Sequence, residues 1–131
     1  MLAAGNRLTD PEGFRAASRR GHRAGARTVV THLLPPAGQQ VVGMPGDGHP
    51  TLVGFVVSKA VGTAVVRNRV KRRLRHAVRE RVDALPAGSV LVVRAQPAAA
   101  ATPYPQLVAD LDHCLQRVTE KAGRPEAGVP R

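Results

Sequence analysis

The sequence predicts an α+β sandwich in which helices pack on one small mixed sheet, and three observations carry that expectation. Three segments are short, apolar and rich in β-branched residues: Thr28–Leu34, Thr51–Ser58 and Ser89–Arg94. Three others repeat apolar residues at helical spacing. The two kinds alternate in the order α-β-β-α-β-α, with room for one more strand near residue 42, so the order reads α-β-β-(β)-α-β-α.

The first helix opens at Thr9-Asp10-Pro11-Glu12, where Thr9 or Asp10 can cap, Pro11 fits the first turn and Glu12 meets the positive dipole end. It runs to Arg20, and Gly21 ends it. Residues 35–50 are rich in glycine and proline and read as a long loop, with Val41-Val42 as the one candidate extended piece. Lys59 to Ala64 connects the second strand to the second helix, which Pro86-Ala87-Gly88 stops. Gln96 to Pro105 is an alanine- and proline-rich loop. Leu107, Val108, Leu111, Cys114, Leu115 and Val118 mark a closing helix that reaches Lys121. Residues 1–122 are expected to form a single domain, followed by a flexible polar tail at 123–131.

A chain of 131 residues can bury one core without staples. Its single cysteine, Cys114, excludes an internal disulfide and a cysteine-based zinc site, and it falls on the apolar stripe of the last helix. No apolar run approaches the roughly 20 residues of a membrane span, and no signal-peptide pattern opens the chain, so a cytoplasmic protein is expected. The net charge is +11, from 20 Lys and Arg against 9 Asp and Glu. Such an excess is the footprint of a nucleic-acid binder, and no helix offers the bulky apolar face that a membrane surface requires.

The charge is concentrated in residues 65–82. Val66, Val70, Leu74, Ala77, Val78 and Val82 make one apolar stripe, while Arg67, Asn68, Arg69, Lys71, Arg72, Arg75 and Arg79 take the remaining surface. Glu80 is the only acid to offset them. Like charges at i,i+4 cost a few tenths of a kcal/mol per pair, and a solvated helix face ordinarily mixes both signs. This face does not, which suits it to a polyanion whose phosphates an arginine fork can hold. A second basic group lies near the N-terminus: Arg7, Arg15, Arg19, Arg20, Arg23 and Arg27, with Phe14 among them as core anchor or stacking platform.

Groups for autonomous catalysis are missing. The acids are scattered, and Asp110 and Asp112, two apart on a helix, do not face one another and read as solvent-facing. His22, His32, His49, His76 and His113 form no i,i+3 or i,i+4 pair, so no metal site or acid–base pair is suggested. His76 can touch phosphate from the basic helix, and His32 lies in a strand, in the core or on an open sheet face. No nucleophile elbow, Walker loop or dinucleotide motif is present.

The run Val53-Gly54-Phe55-Val56-Val57-Ser58-Lys59, a short turn, and Arg67-Asn68-Arg69-Val70-Lys71-Arg72 closely resembles the protein-subunit family of bacterial ribonuclease P. Asn6-Arg7-Leu8, the first helix with Phe14 and Gly21, Leu85 to Arg94, and Leu107 to Leu115 extend the resemblance over nearly the whole chain. It implies an RNA-binding subunit of an endoribonuclease that removes the 5′ leader of precursor tRNA, with catalysis by an RNA partner. The protein alone is then non-catalytic and binds no cofactor, and magnesium ions are held mainly by RNA. A monomer outside the ribonucleoprotein is expected.

The resemblance assigns Lys59, Arg67, Asn68, Arg69, Lys71, Arg72 and Arg75 to the catalytic RNA. It assigns Phe14, Arg15, Arg19 and His32 to a cleft for the single-stranded leader, between sheet and first helix. It also implies a ribosomal-protein-S5-domain-2-like arrangement with a left-handed βαβ crossover, against the usual right-handed rule. Ser18 and His32 stand where the family commonly has aromatics, and Thr63 where it often has Asn. Two other readings share the charge: a ribosomal or other structural RNA-binding protein, and an autonomous nuclease. The first has no need of this strand–turn–helix run, and the second should show clustered carboxylates or a histidine pair.

Overall fold

Val90-Leu91-Val92-Val93 is apolar at four successive positions, so a strand made from it presents apolar side chains on both faces and must be covered twice. The computed structural model, which describes residues 8, 11–35 and 51–123, puts that strand inside the sheet. In chain order the elements are α1 (Pro11–Arg20), β1 (His22–Gly25), β2 (Val29–Leu34), β3 (Leu52–Val56), α2 (Ala64–Arg79), β4 (Val90–Ala95) and α3 (Tyr104–Gly123). The strand order is β1-β2-β4-β3. β2 pairs antiparallel with both β1 and β4, while β3 pairs parallel with β4 and reaches it through α2.

The register sorts the side chains, because partners directly opposite share a face. Leu33 lies across from Leu91, which lies across from Val53; Thr31, Val93 and Phe55 form the next row. On this face α2 contributes Val70, Leu74, Ala77 and Val78, and α3 contributes Leu107, Leu111, Cys114, Leu115 and Val118, all buried. The opposite face carries Val30, His32 and Leu34 beside Arg94, Val92 and Val90, and then Val56, Gly54 and Leu52. There α1 supplies Ala17 and Phe14, and Leu8 joins them, its amide donating to the Val53 carbonyl at 2.8 Å. The sandwich of the sheet with α2 and α3 thus bears α1 as a partial third layer.

Where strand and helix boundaries depart from the sequence pattern, long-range pairing or backbone geometry is the cause. β1 is unforeseen, because His22-Arg23-Ala24-Gly25 has no β-branched residue; its extension comes from pairing with β2. The connector 59–64 contains a 3-10 turn at Lys59–Val61, then Gly62 at φ 154°, then Thr63, whose hydroxyl accepts from the Val66 amide at 3.3 Å. A Cβ on Gly62 would also lie 2.9 Å from Val66 Cγ1, so glycine is required there twice over. α2 ends at Arg79, and Val82 belongs to a 3-10 turn at Val82–Ala84. The loop after β4 holds a further 3-10 turn, Pro97–Ala100. The caps at Thr9 and Asp10, the candidate strand near residue 42, Arg7, and residues 124–131 of the tail lie outside the described residues.

Gly54 explains how α1 approaches so closely: a Cβ there would fall 2.4 Å from Phe14 Cε1 and Cζ. The ring occupies the space a side chain would take. A Gly54→Ala substitution is therefore expected to destabilise the fold by about 1–3 kcal/mol through overpacking. Made in a Phe14→Leu background it should cost less, and a double-mutant cycle by urea denaturation measures the difference.

Candidate nucleic-acid interface

α2 carries its polar and cationic residues on the sides that do not face the core, but they are not equivalent. Asn68, Arg72, His76 and Arg79 are exposed, whereas Arg67, Arg69, Lys71, Arg73 and Arg75 are half-buried. Three of the arginines are held by backbone carbonyls. Arg67 Nε donates to Gly62 O at 3.2 Å, Arg69 Nη2 to Ala100 O at 3.1 Å, and Arg73 Nη1 to Thr102 O at 3.4 Å. Arg69 and Arg73, four apart, thereby fasten α2 to the segment between β4 and α3. Such charge-assisted bonds fix the side chains and leave positive charge on the surface. Lys59 is exposed in the turn that precedes the helix. Arg79 falls in the last turn, where a cation meets the negative end of the dipole.

The two helix acids both have long-range partners. Asp112 receives the Arg81 guanidinium in a two-pronged ion pair through Nε and Nη2, and Arg81 Nη1 also donates to Ala77 O at 2.7 Å. Asp110 accepts from the buried Thr28 hydroxyl at 2.6 Å and from Gln106 Nε2 at 3.1 Å. Asp110, half-buried, corrects the solvent-facing reading, whereas Asp112 is exposed as expected and still ties α3 to the α2 exit. Sequence spacing could not reveal partners 31 and 82 residues away.

On the other face of the sheet, α1 covers only part of the surface. Phe14 lies half-buried on Gly54 and packs against the cluster of Leu8, Ala17 and Val92, so the ring is an anchor with one part still accessible. Arg15 and Arg19 are exposed, and Arg15 pairs with Glu12 at 3.1 Å. His32 is 8% exposed, opposite Arg23 on β1 and Val92 on β4. Its Nδ1 is buried and has no hydrogen-bond partner among the described residues. Burial, followed by the charges of Arg94 and Arg23, holds its imidazole below the usual value. The ring is neutral near pH 7.

A family model described as Ribonuclease P matches residues 2–119. The chain belongs to the ribonuclease P protein family. It is 55% identical over 118 residues to the ribonuclease P protein component of Nocardioides sp., covering 90% of this chain and 95% of that relative. It is 51% identical over 124 residues to that of Thermobifida fusca, covering 95% and 83%. The fold matches the Staphylococcus aureus RNase P protein with a TM-score of 0.71 at 23% identity, over 87% of this chain and 97% of that one. For the Thermotoga maritima RNase P protein the values are 0.65 and 20%, over 87% and 96%.

On the sheet face beside α1, Arg94 is a cation that the sequence analysis did not place. It lies on the same face as His32 and half-buried, directly across from Val30 and Val56. Strand alternation held the signal: counting by twos from Val90 and Val92 ends on Arg94, a cation on an otherwise apolar face. Arg23 needed the unforeseen β1 to be placed. Among the described residues no three of His, Cys, Asp or Glu come together as a metal site. No helix among the described residues is long and apolar enough to cross a membrane.

The depressed His32 value makes a prediction about stability. The unfolded chain protonates this imidazole near pH 6.5, the folded chain only below that, so between the two the unfolded state binds more protons. The contribution is complete above pH of about 6.5 and falls as pH drops through the folded value. Urea unfolding at stepped pH should show this decline in the wild-type protein, and a His32→Gln variant should flatten it.

Proposed function

We infer that this chain is the RNA-binding protein subunit of the ribonuclease P ribonucleoprotein, the endoribonuclease that removes the 5′ leader from precursor tRNA. The match of the family model over residues 2–119 carries the reading. The one-signed surface of α2 supports it independently, since its net positive charge suits a polyanionic partner. In this reading α2 and its approach hold the catalytic RNA, through Lys59, Asn68, Lys71, Arg72 and Arg75 directly. Arg67 and Arg69 present charge from positions set by their carbonyl bonds. Residues 1–122 act as a single domain, 123–131 as an appended tail, and the protein is a monomer until it joins the RNA, in the cytoplasm.

The leader of precursor tRNA is assigned to the sheet face beside α1. Phe14, Arg15, Arg19 and His32 border that face, and Arg23 and Arg94 extend it. The protein's contribution is positional: cations hold phosphates and a partly open ring accepts a base. In this reading the metal ions used by the holoenzyme are held mainly by RNA. Chemistry at the scissile phosphate is then the RNA's, and no step passes through a protein side chain.

Reconstitution tests the assignment of α2. RNA-free protein should leave precursor tRNA uncut, and adding the catalytic RNA should yield cleavage at moderate salt. Arg72→Ala, Arg75→Ala and Arg79→Ala combined should weaken RNA binding and flatten its log–log salt slope by about 2, since each phosphate contact contributes roughly 0.7–0.9. The melting temperature should hold. Arg69→Ala, by contrast, should lower the melting temperature as well, because it unfastens α2 from Ala100.

Phe14 tests the leader face. In the assembled holoenzyme, Phe14→Leu should weaken precursor tRNA by about 1 kcal/mol or more while leaving mature tRNA nearly unchanged, the loss expected from one stacked base. Parallel affinity measurements decide: equal losses for both tRNAs, with a lowered melting point, would leave the ring only its anchoring role on Gly54.

A further inference from the structure

The cations of α2 are accompanied by two rings that the assignments above do not use. His76 is exposed on the outer surface of α2, and its ring centroid lies 6.2 Å from that of Tyr104 at the start of α3, with the planes tilted by 50°. Tyr104 is half-buried, its inner side packed on the main core. The contact follows from the arginine fastenings: Arg69 holds Ala100 and Arg73 holds Thr102, which lays the entry to α3 along α2 and delivers Tyr104 beside His76. Arg72 stands four residues before His76 and Arg79 three after, both exposed, so helical spacing sets a cation on either side of the rings.

We propose that His76 and Tyr104 form a stacking ledge for an unpaired nucleobase of the catalytic RNA, with Arg72 and Arg79 holding the flanking phosphates. A partner that satisfies both features must carry regularly spaced negative charge and flat π surfaces together. RNA does, and only where its bases are unpaired are their faces open to a protein ring. The tilt keeps the two rings from covering one another face to face, and His76 has solvent on its outer side. A phosphate contact from His76 is the rival account, and it asks for charge where the ledge asks for a ring. The proposal rests on the reading of α2 as the surface that meets the catalytic RNA.

The experiment measures binding of the full chain to its cognate ribonuclease P RNA. His76→Ala should weaken binding about ten-fold, one base stacked on one ring, with no change in melting temperature because the side chain is exposed. His76→Phe should restore affinity and His76→Lys should not. The opposite order, rescue by Lys and not by Phe, overturns the ledge in favour of a phosphate contact. The sequence has one tyrosine and no tryptophan, so tyrosine emission reports on Tyr104 alone. It should be quenched at saturating RNA, and unchanged emission overturns the proposal. An unaffected His76→Ala beside a weakened Arg72/Arg75/Arg79 variant sinks the ledge and spares the α2 reading. No effect from either sinks both.

Discussion

The double burial of β4 is the constraint on which the rest of this structure depends. Leu91, Val92 and Val93 are all 0% exposed, so consecutive side chains on opposite faces both need cover. One face is met by α2 and α3, the other by α1 and Leu8. The two coverings differ in completeness. α2 and α3 bring nine buried side chains, and α1 brings only Ala17 and the half-buried Phe14. The fully covered side provides stability and leaves its outer helix surfaces free; the partly covered side leaves a strip of sheet where polar and charged residues can lie in reach of solvent.

α2 reconciles two demands that normally conflict. Its buried stripe of Val70, Leu74, Ala77 and Val78 attaches it to the core, while cations crowd its other sides with no acid in its first turn to relieve them. Carbonyl groups provide part of the relief. Gly62, Ala100 and Thr102 each offer a backbone oxygen to a guanidinium, which offsets desolvation of the half-buried arginines and converts repelling charges into fastenings. The acids are used elsewhere, Asp112 on Arg81 and Asp110 on Thr28, so they hold α3 in place without neutralising the outer surface of α2.

On the strip beside α1, His32 occupies a position with unusual demands. It is nearly buried between two arginine-bearing strands, and its Nδ1 is unpartnered among the described residues. A buried polar atom left without a bond costs stability unless something supplies the missing partner. Phe14 sits on the same face, held by the absence of a side chain at Gly54. The glycine of the strand and the ring of the helix are one feature, and the position of α1 over the sheet follows from it.

Residues close in sequence told the truth about local structure, because helical and strand periodicities depend on neighbours a few positions apart. The β-branched run of Thr28–Leu34, the apolar run of Val90–Val93, the stripe that starts at Val66 and that of 107–118 each placed an element, and the Val53–Arg75 run placed the family. Tertiary structure alone decided what depends on distant pairing. It drew His22–Gly25 into a strand by hydrogen bonds to β2, and gave Asp110 and the exposed Asp112 distant partners in Thr28 and Arg81. It divided the arginines of α2 into those held by carbonyls and those free to meet a partner, and brought Tyr104 to His76 across 28 residues. A linear sequence specifies which side chains an element carries. Which of them meet is fixed only when burial of the shared core sets the elements against one another.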